Sequence, residues 1–378
     1  MTTRPTMLIL SYSPIAGDAR VLKQVARFTR DYDVTTCGYG DKPDGVVEHI
    51  SMSRDIRYND LDGKLITLKR YRRAYWGLSA VKWSKEALKG RTFDVIIAND
   101  VEAVPVAVKL RSRHGVLADL HEYSPRLHDD NPAWFERITP WFEWVVRRYV
   151  TRARSWTTVS RGIVEEYERN FGFHAELVTN AAPYHDLQPK PTGSTIRFVH
   201  SGACLRNRQL DEMVTAVQTA DADVTLDLYL TANDPGYLEE LRQQAADGGR
   251  VTVHDPVPYA QLIRLLNDYD MGIHLLPPVN FNNKWALPNK LFDFLQARMG
   301  VLIGPSAEMA SYVTEYGFGA VADGFTAEDA RRAIEALTPE RVDEFKRSAH
   351  AHAHELSGER QVDVWERLIT EQMEGRRG

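Results

Sequence analysis

Short apolar runs alternate with helix-spaced segments along nearly the whole chain. In the first half, "TMLILSY", "DVTTCGY", "FDVIIAND", "GVLADLHE" and "SWTTVS" read as strands, with helical spacing between most of them. A second series follows: "TIRFVHSG", "VTLDLYLT", "RVTVHDPV", "MGIHLLPP", "GVLIGPS" and "GAVAD". Apolar strands alternating with helices predict parallel sheets covered by helices on both faces. Between the two series the pattern breaks at "HDLQPKPTGS", rich in Pro, Gly and polar residues. The predicted fold class is α/β, with two Rossmann-like domains facing across a cleft. The predicted boundaries are 1–185 for the first domain, 186–194 for a linker and 195–355 for the second domain. A terminal helix over 356–378 is expected to return to the first domain.

Length supports that division, since 378 residues exceed what one core usually holds. A composition with 43% hydrophobic and 26% charged residues is that of an ordinary globular chain. The net charge of −5 gives no support for a nucleic-acid partner. Cys37 and Cys204 are too few for a disulfide framework, which fits a reducing cytoplasm. The apolar segment "MLIL" is too short for a signal peptide, and no run approaches a membrane span. The expected location is cytoplasmic, with peripheral attachment to the inner face of the cell membrane as an extension.

One stretch carries most of the chemistry. "LPNKLFDFLQARMGVLIG", from Leu287 to Gly304, places a Pro-Asn-Lys turn ahead of a helix. Gly300 is expected to end that helix and "VLIG" to form a buried strand. The unpaired N–H groups and dipole at a helix N-terminus suit an anion, and Asp293, a turn further in, can reach sugar hydroxyls. Asp293 can equally be a surface acid that favours the positive helix end. Other signals point nowhere. "CGYGDKPDG" has spaced glycines but no helix behind it, and no Gly-x-Ser-x-Gly elbow occurs. "HAHAHE" spaces His350 and His354 for one helix face but lacks the glutamate of a zinc protease.

Several segments, taken in order, resemble a known family. "SGACLRNRQLDEMVTAV" from Ser201 resembles the first strand, loop and helix of the second domain of GT-B glycosyltransferases, notably the retaining glycosyltransferase family 4. "PNKLFDFLQARMGVLIG" resembles the donor-site helix of that family, and "EYGFGAVAD" the segment after it. In the first half, "GDARVLKQVARF", "LADLHEYSPR" and "TTVSRGIVEEYERNFG" resemble the family's Asp-x-Arg-Val helix start, its Asp-x-His-Glu strand end, and its closing strand and helix.

The resemblance implies a transferase that moves a sugar from a nucleotide diphosphate sugar to an acceptor hydroxyl. It implies retention of anomeric configuration and no metal or other cofactor. The first domain would be the acceptor side and the second the nucleotide-sugar side. Arg208 matches the family's phosphate-binding basic residue; Lys290 and the N–H groups of Asn289 and Lys290 complete the diphosphate site, with Gly202 ending the strand and Arg206 a second cation. Asp293 stands where the family's second motif glutamate holds the ribose. The first glutamate, eight residues earlier, is replaced by Trp285, which leaves Asn282, Asn283 and Lys284 to meet the sugar. His121 resembles the family's cleft histidine; a strand-end His bonded to a neighbouring carbonyl is the alternative. Asp18 and Arg20 are candidate acceptor ligands, with Asp18 also readable as a helix cap. Asp100, at the end of "VIIAND", is a third candidate or a turn residue.

"KLITLKRYRRAYWGLSAVKWSKEALKGR" is basic, interleaves Tyr71, Tyr75, Trp76 and Trp83, and has Glu86 as its only acid. "PAWFERITPWFEWVVRRYVTRAR" adds Trp134, Trp141 and Trp144. These helices fit an anionic membrane surface, an acidic-glycan site, or an aromatic core face with a solvated basic back. The acceptor is then a glycan or a lipid-linked species in cell-envelope polysaccharide or glycolipid synthesis. Two other functions stay open. A degenerate nucleotide-sugar-binding subunit fits Trp285, whereas a sugar-nucleotide 2-epimerase needs paired carboxylates that the sequence does not present.

Overall fold

The structure, a computed structural model, describes residues 4–246 and 248–375. The chain forms two compact units. One takes the chain up to Thr179, with Asn280–Asn282 and the residues from Gln361 onward; the other takes Asn180–Val279 and Asn283–Arg360.

The first unit is built on seven strands: β1 (Thr6–Pro14), β2 (Asp33–Tyr39), β3 (Glu48–Met52), β4 (Val95–Asn99), β5 (Val116–Leu120), β6 (Ser155–Thr158) and β7 (Glu176–Leu177). Their order is β3-β2-β1-β4-β5-β6-β7, and every pair is parallel. Met7 to Leu10 of β1 are fully buried, as a central strand covered on both faces requires. The helix Ala19–Phe28 starts at Asp18, whose carboxylate accepts from the Arg20 and Val21 N–H groups. Trp365, Leu368 and Ile369 of the helix Gly358–Met373 pack into the same core as Met7, Ile9, Val21 and Phe28.

The second unit has six strands: β8 (Ile196–Ala203), β9 (Val224–Thr231), β10 (Val251–His254), β11 (Met271–His274), β12 (Gly300–Ile303) and β13 (Gly319–Val321). The order is β10-β9-β8-β11-β12-β13, again parallel throughout. All six apolar runs of the second half are therefore strands. The segment 186–194 is not a free tether. Gln188 accepts at its carbonyl from Asn267 (3.0 Å), Lys190 pairs with Asp268, and the Thr192 hydroxyl donates to Asp343 (2.7 Å), which straps it along the second unit.

The segment from Leu287 to Gly304 differs from the sequence expectation at the end of its helix. The helix is Asn289–Gln296, and Arg298, at φ 62°, takes the left-handed conformation that turns the chain. Gly300 instead opens β12, because a Cβ there would lie 2.4 Å from the Met271 sulfur and 3.1 Å from Phe345 Cβ. Gly272 of β11 is bare for a similar reason: the Phe294 ring occupies the place of its side chain, at 2.3 Å from a built Cβ. That contact sets the height of the helix over the strand ends.

Candidate functional site

A pocket of about 340 Å³ opens in the second unit at the carboxyl ends of β8 and β9, against the start of the helix Asn289–Gln296. Its walls include Gly202, Thr231, Tyr259, Asn289, Lys290 and Asp293. Ligands in open α/β sheets gather at such strand ends. Pro288 caps the helix without a side-chain acceptor, so the first N–H groups face the pocket uncapped. Gly202, at φ 139°, brings bare backbone against Lys290, whose Nζ would lie 3.2 Å from a Cβ at that position. Asp293 is buried and accepts from the Tyr259 hydroxyl at 3.0 Å. The structure thus brings Gly202, Asn289, Lys290 and Asp293 into one wall.

Beneath that wall lie two histidines that sequence reading missed. His200 of β8 is fully buried; its Nδ1 is 2.8 Å from the Ile273 carbonyl and its Nε2 is 3.0 Å from Lys290 Nζ. A carbonyl only accepts, so Nδ1 carries the proton and the Nε2 lone pair receives the Lys290 ammonium. His274 of β11 is also buried, with its ring centre 5.5 Å from that of His200, and among the described residues neither of its ring nitrogens has a hydrogen-bond partner. Burial, then the nearby Lys290 charge, holds both imidazoles well below their ordinary range. Both rings are therefore neutral, and the positive charge here belongs to Lys290 and Arg208. Burial, then the Arg208 charge, lowers the Lys290 amine to about 7, against a smaller pull from Asp293. No local sequence signal marks this arrangement, since His200 and Lys290 are ninety residues apart. His200→Phe is expected to weaken nucleoside diphosphate binding by about 1–3 kcal/mol, because the ammonium loses its acceptor. It should also move the fall of affinity with pH to lower pH. Calorimetric titration at several pH values reads both effects.

The remaining donor-side candidates divide. Arg208 ends the short turn Arg206–Arg208 after β8, outside the lining of the pocket but close enough to depress Lys290. Arg206 is engaged on the surface: its guanidinium forks onto Glu240 at 2.7 and 2.8 Å and covers the Tyr237 ring. Asn283 and Lys284 do not line the pocket; Lys284 lies 5.1 Å from the Trp285 ring centre. The Asn282 amide is occupied by the Tyr123 backbone, accepting from its N–H at 2.9 Å and donating to its carbonyl at 3.3 Å.

In the first unit, Asp119 at the end of β5 is wholly buried. It accepts from Arg20 at Nε (2.8 Å) and Nη2 (2.6 Å), from Gln24 (2.7 Å) and from the Thr157 hydroxyl (2.6 Å). Arg20 also donates to the Val178 carbonyl at 2.7 Å and lies 5.0 Å from the Trp365 ring centre. The guanidinium is thus buried in an ion pair and does not open to solvent as a free cation. Asp18 is the helix cap. His121 is bonded to side chains and not to a backbone carbonyl: Nε2 is 3.2 Å from Asn99 Oδ1 and 3.3 Å from Asp119, and Nδ1 is 3.4 Å from Asp100. Burial alone would lower this imidazole, yet the Asp100 and Asp119 carboxylates outweigh it and raise it. Asp100, a non-glycine at φ 65°, also accepts from the His121 N–H at 3.1 Å, and burial raises its carboxyl. Nearby Glu102, a residue that sequence reading passed over, is raised to about 7 by burial and by Asp100.

His350 and His354 do not form a pair. The helix Pro339–His352 stops before His354; His350 Nδ1 accepts from Arg298 at 3.2 Å, and His354 packs on Tyr184. Among the described residues no cluster of His, Cys, Asp or Glu is placed to hold a metal ion. No helix among the described residues is long and apolar enough to cross a membrane.

No family model matches the chain, and no curated protein is similar to it in sequence. Solved structures are similar along its whole length. HepE from Anabaena, in complex with UDP and glucose, superposes with a TM-score of 0.67 at 14% identity, covering 97% of this chain and 100% of HepE. Sucrose-phosphate synthase from Thermosynechococcus elongatus gives 0.70 at 13% identity over 98% of this chain and 100% of its own. WaaG, a glycosyltransferase involved in lipopolysaccharide biosynthesis, gives 0.61 at 11% identity over 92% and 95%. These neighbours are GT-B glycosyltransferases, and the chain has their fold.

Proposed function

We propose that this protein is a glycosyltransferase that moves a sugar from a nucleotide diphosphate sugar to an acceptor hydroxyl in cell-envelope polysaccharide or glycolipid synthesis. The observation that carries the reading is the Lys290 ammonium, held by His200 against the bare backbone of Gly202 at a helix N-terminus. Neighbours crystallised with UDP and with UDP-glucose support it. Breaking the anomeric bond leaves negative charge on the diphosphate. Lys290, Arg208 and the first N–H groups of the helix receive that charge without a metal. Asp293, steadied by Tyr259, takes the ribose hydroxyls, and the configuration at the anomeric carbon is retained. His121, positioned by Asp100 and Asp119, serves the acceptor side.

Titration with UDP, GDP and ADP, followed by nucleoside diphosphate release from a panel of nucleotide sugars, tests this reading. Release is expected to persist in EDTA. Arg208→Ala is expected to weaken UDP about 10- to 100-fold while leaving uridine nearly unchanged, since a charge-assisted phosphate contact is lost. Equal losses for both ligands would remove Arg208 from the phosphate site. The second reading, a non-catalytic binding subunit, is favoured by Trp285, whose ring carries Lys284 where the family has a carboxylate. Tight UDP binding without turnover on any donor would select it.

A further inference from the structure

The first unit holds a second charged concavity, of about 440 Å³, that the donor site does not use. Arg72, Arg73, Lys82, Lys85 and Lys109 line it around Trp76, with Glu86 as its one acid. Glu86 is engaged by Lys89 at 3.1 Å. Arg72, Arg73, Lys82 and Lys85 make no side-chain hydrogen bond or ion pair with any described residue, and Lys109 rests 4.3 Å from the Trp76 ring centre. Several surface cations elsewhere on this protein are paired with acids: Arg331 with Glu328 and Glu335, Arg332 with Asp329, Arg341 with Glu344. Gathering unpaired like charges around a recess, on a chain whose net charge is −5, is unfavourable without an anion to complete it.

The recess is also preformed. The Tyr75 hydroxyl donates to the Glu102 carbonyl at 2.6 Å, just past the carboxyl end of β4, and Trp76 Nε1 donates to the Tyr149 hydroxyl at 3.1 Å. Tyr75 and Trp76 also meet edge to face, with ring centres 4.9 Å apart. The aromatic residues of this basic region are thus spent inward, fixing its floor, and the cations are what it presents. Guanidinium forks and lysine ammonium groups together fit the oxygens of a phosphate.

We propose that this recess binds a phosphate group carried by the acceptor, as a soluble phosphate ester or as the phosphate of a lipid-linked species. The inference rests on the transferase reading and names its acceptor chemistry. It is tested on the full chain with two double variants that each remove two charges: Arg73→Ser/Lys85→Ser inside the recess, and Lys64→Ser/Lys69→Ser outside it. With UDP saturating, inorganic pyrophosphate is titrated; separately, sedimentation with phosphatidylglycerol and with phosphatidylcholine vesicles is measured. Pyrophosphate binding weakened about tenfold or more by the inside variant alone assigns the soluble source. Attachment to phosphatidylglycerol vesicles lost in the inside variant alone assigns the lipid-linked one. No binding in either arm, or equal losses in both variants, overturns the site and leaves a diffuse cationic face. UDP affinity is expected to be unchanged in both variants. A wild-type protein that fails to bind UDP would defeat the donor reading separately, with the pyrophosphate comparison still reading the recess.

Discussion

Replacing Lys290 with Met is expected to weaken UDP binding by about 100-fold and to slow nucleoside diphosphate release by about 10²–10³-fold, the loss typical of one preorganised donor to a developing anion. Methionine keeps the length and apolar body of the side chain, so the change removes the charge and little of the packing. Arginine is not expected to rescue it, because a planar fork does not fit where a compact ammonium lies between His200 Nε2 and Gly202. The pH dependence has a definite sign. With the amine at about 7 in the ligand-free protein, the cation is lost as pH rises through that value. UDP affinity should therefore fall above pH 7, and binding there should take up a proton, read by titration in buffers of different ionisation enthalpy. The stability of the ligand-free protein responds the opposite way. Between about 7 and the unfolded value near 10.4, the unfolded chain binds the extra proton, so this group makes stability rise with pH across that window. In Lys290→Met both the proton uptake and that slope should vanish.

The fold was largely legible because its strands are buried on both faces and show as apolar runs bounded by turn residues. The strands that the sequence hid are β3, "EHISM", and the two-residue β7, both sheet edges too short or too polar to stand out. The wall of the pocket beside Gly202 was legible wherever one local segment carried it, as in the turn and helix from Asn289 to Asp293. What the sequence hid is direction. Arg20, Arg206 and Arg208 each follow a strand end or a helix start, yet one is buried against Asp119 and one pairs with Glu240. Only Arg208 sits where its charge reaches Lys290. The same holds for Tyr75 and Trp76, whose interleaving with cations reads as an amphipathic surface while the rings pack inward. Contacts between distant strands, such as His200 with Lys290, leave no local trace at all.

Arg20→Ala is expected to lower the stability of the protein by about 3–5 kcal/mol, the usual cost of leaving one partner of a buried ion pair uncompensated. Asp119 is wholly buried, and two of its short hydrogen bonds come from Arg20. Gln24 and Thr157 remain as neutral donors, and His121, 3.3 Å away, is the one titratable partner left among the described residues to offset part of the charge. Burial would raise the Asp119 carboxyl, but the Arg20 guanidinium and His121 hold it well below the ordinary range. For a group depressed on folding, the stabilisation is fully present above the unfolded value near 3.9 and is lost as pH falls towards the folded one. Wild-type protein should therefore keep this contribution down to about pH 4, whereas in Arg20→Ala burial raises the Asp119 carboxyl, so its protonation at mildly acidic pH should relieve the uncompensated charge and narrow the gap to wild type. Denaturant unfolding at pH 7 and melting curves between pH 3 and 7 measure both. The double change Arg20→Met/Asp119→Leu should recover part of the loss, since no charge is then left buried. An Arg20→Ala protein as stable as wild type, with turnover lost, would instead return Arg20 to the acceptor site. The buried fork at Val178, Asp119 and Trp365 argues that stability, not turnover, registers the change first.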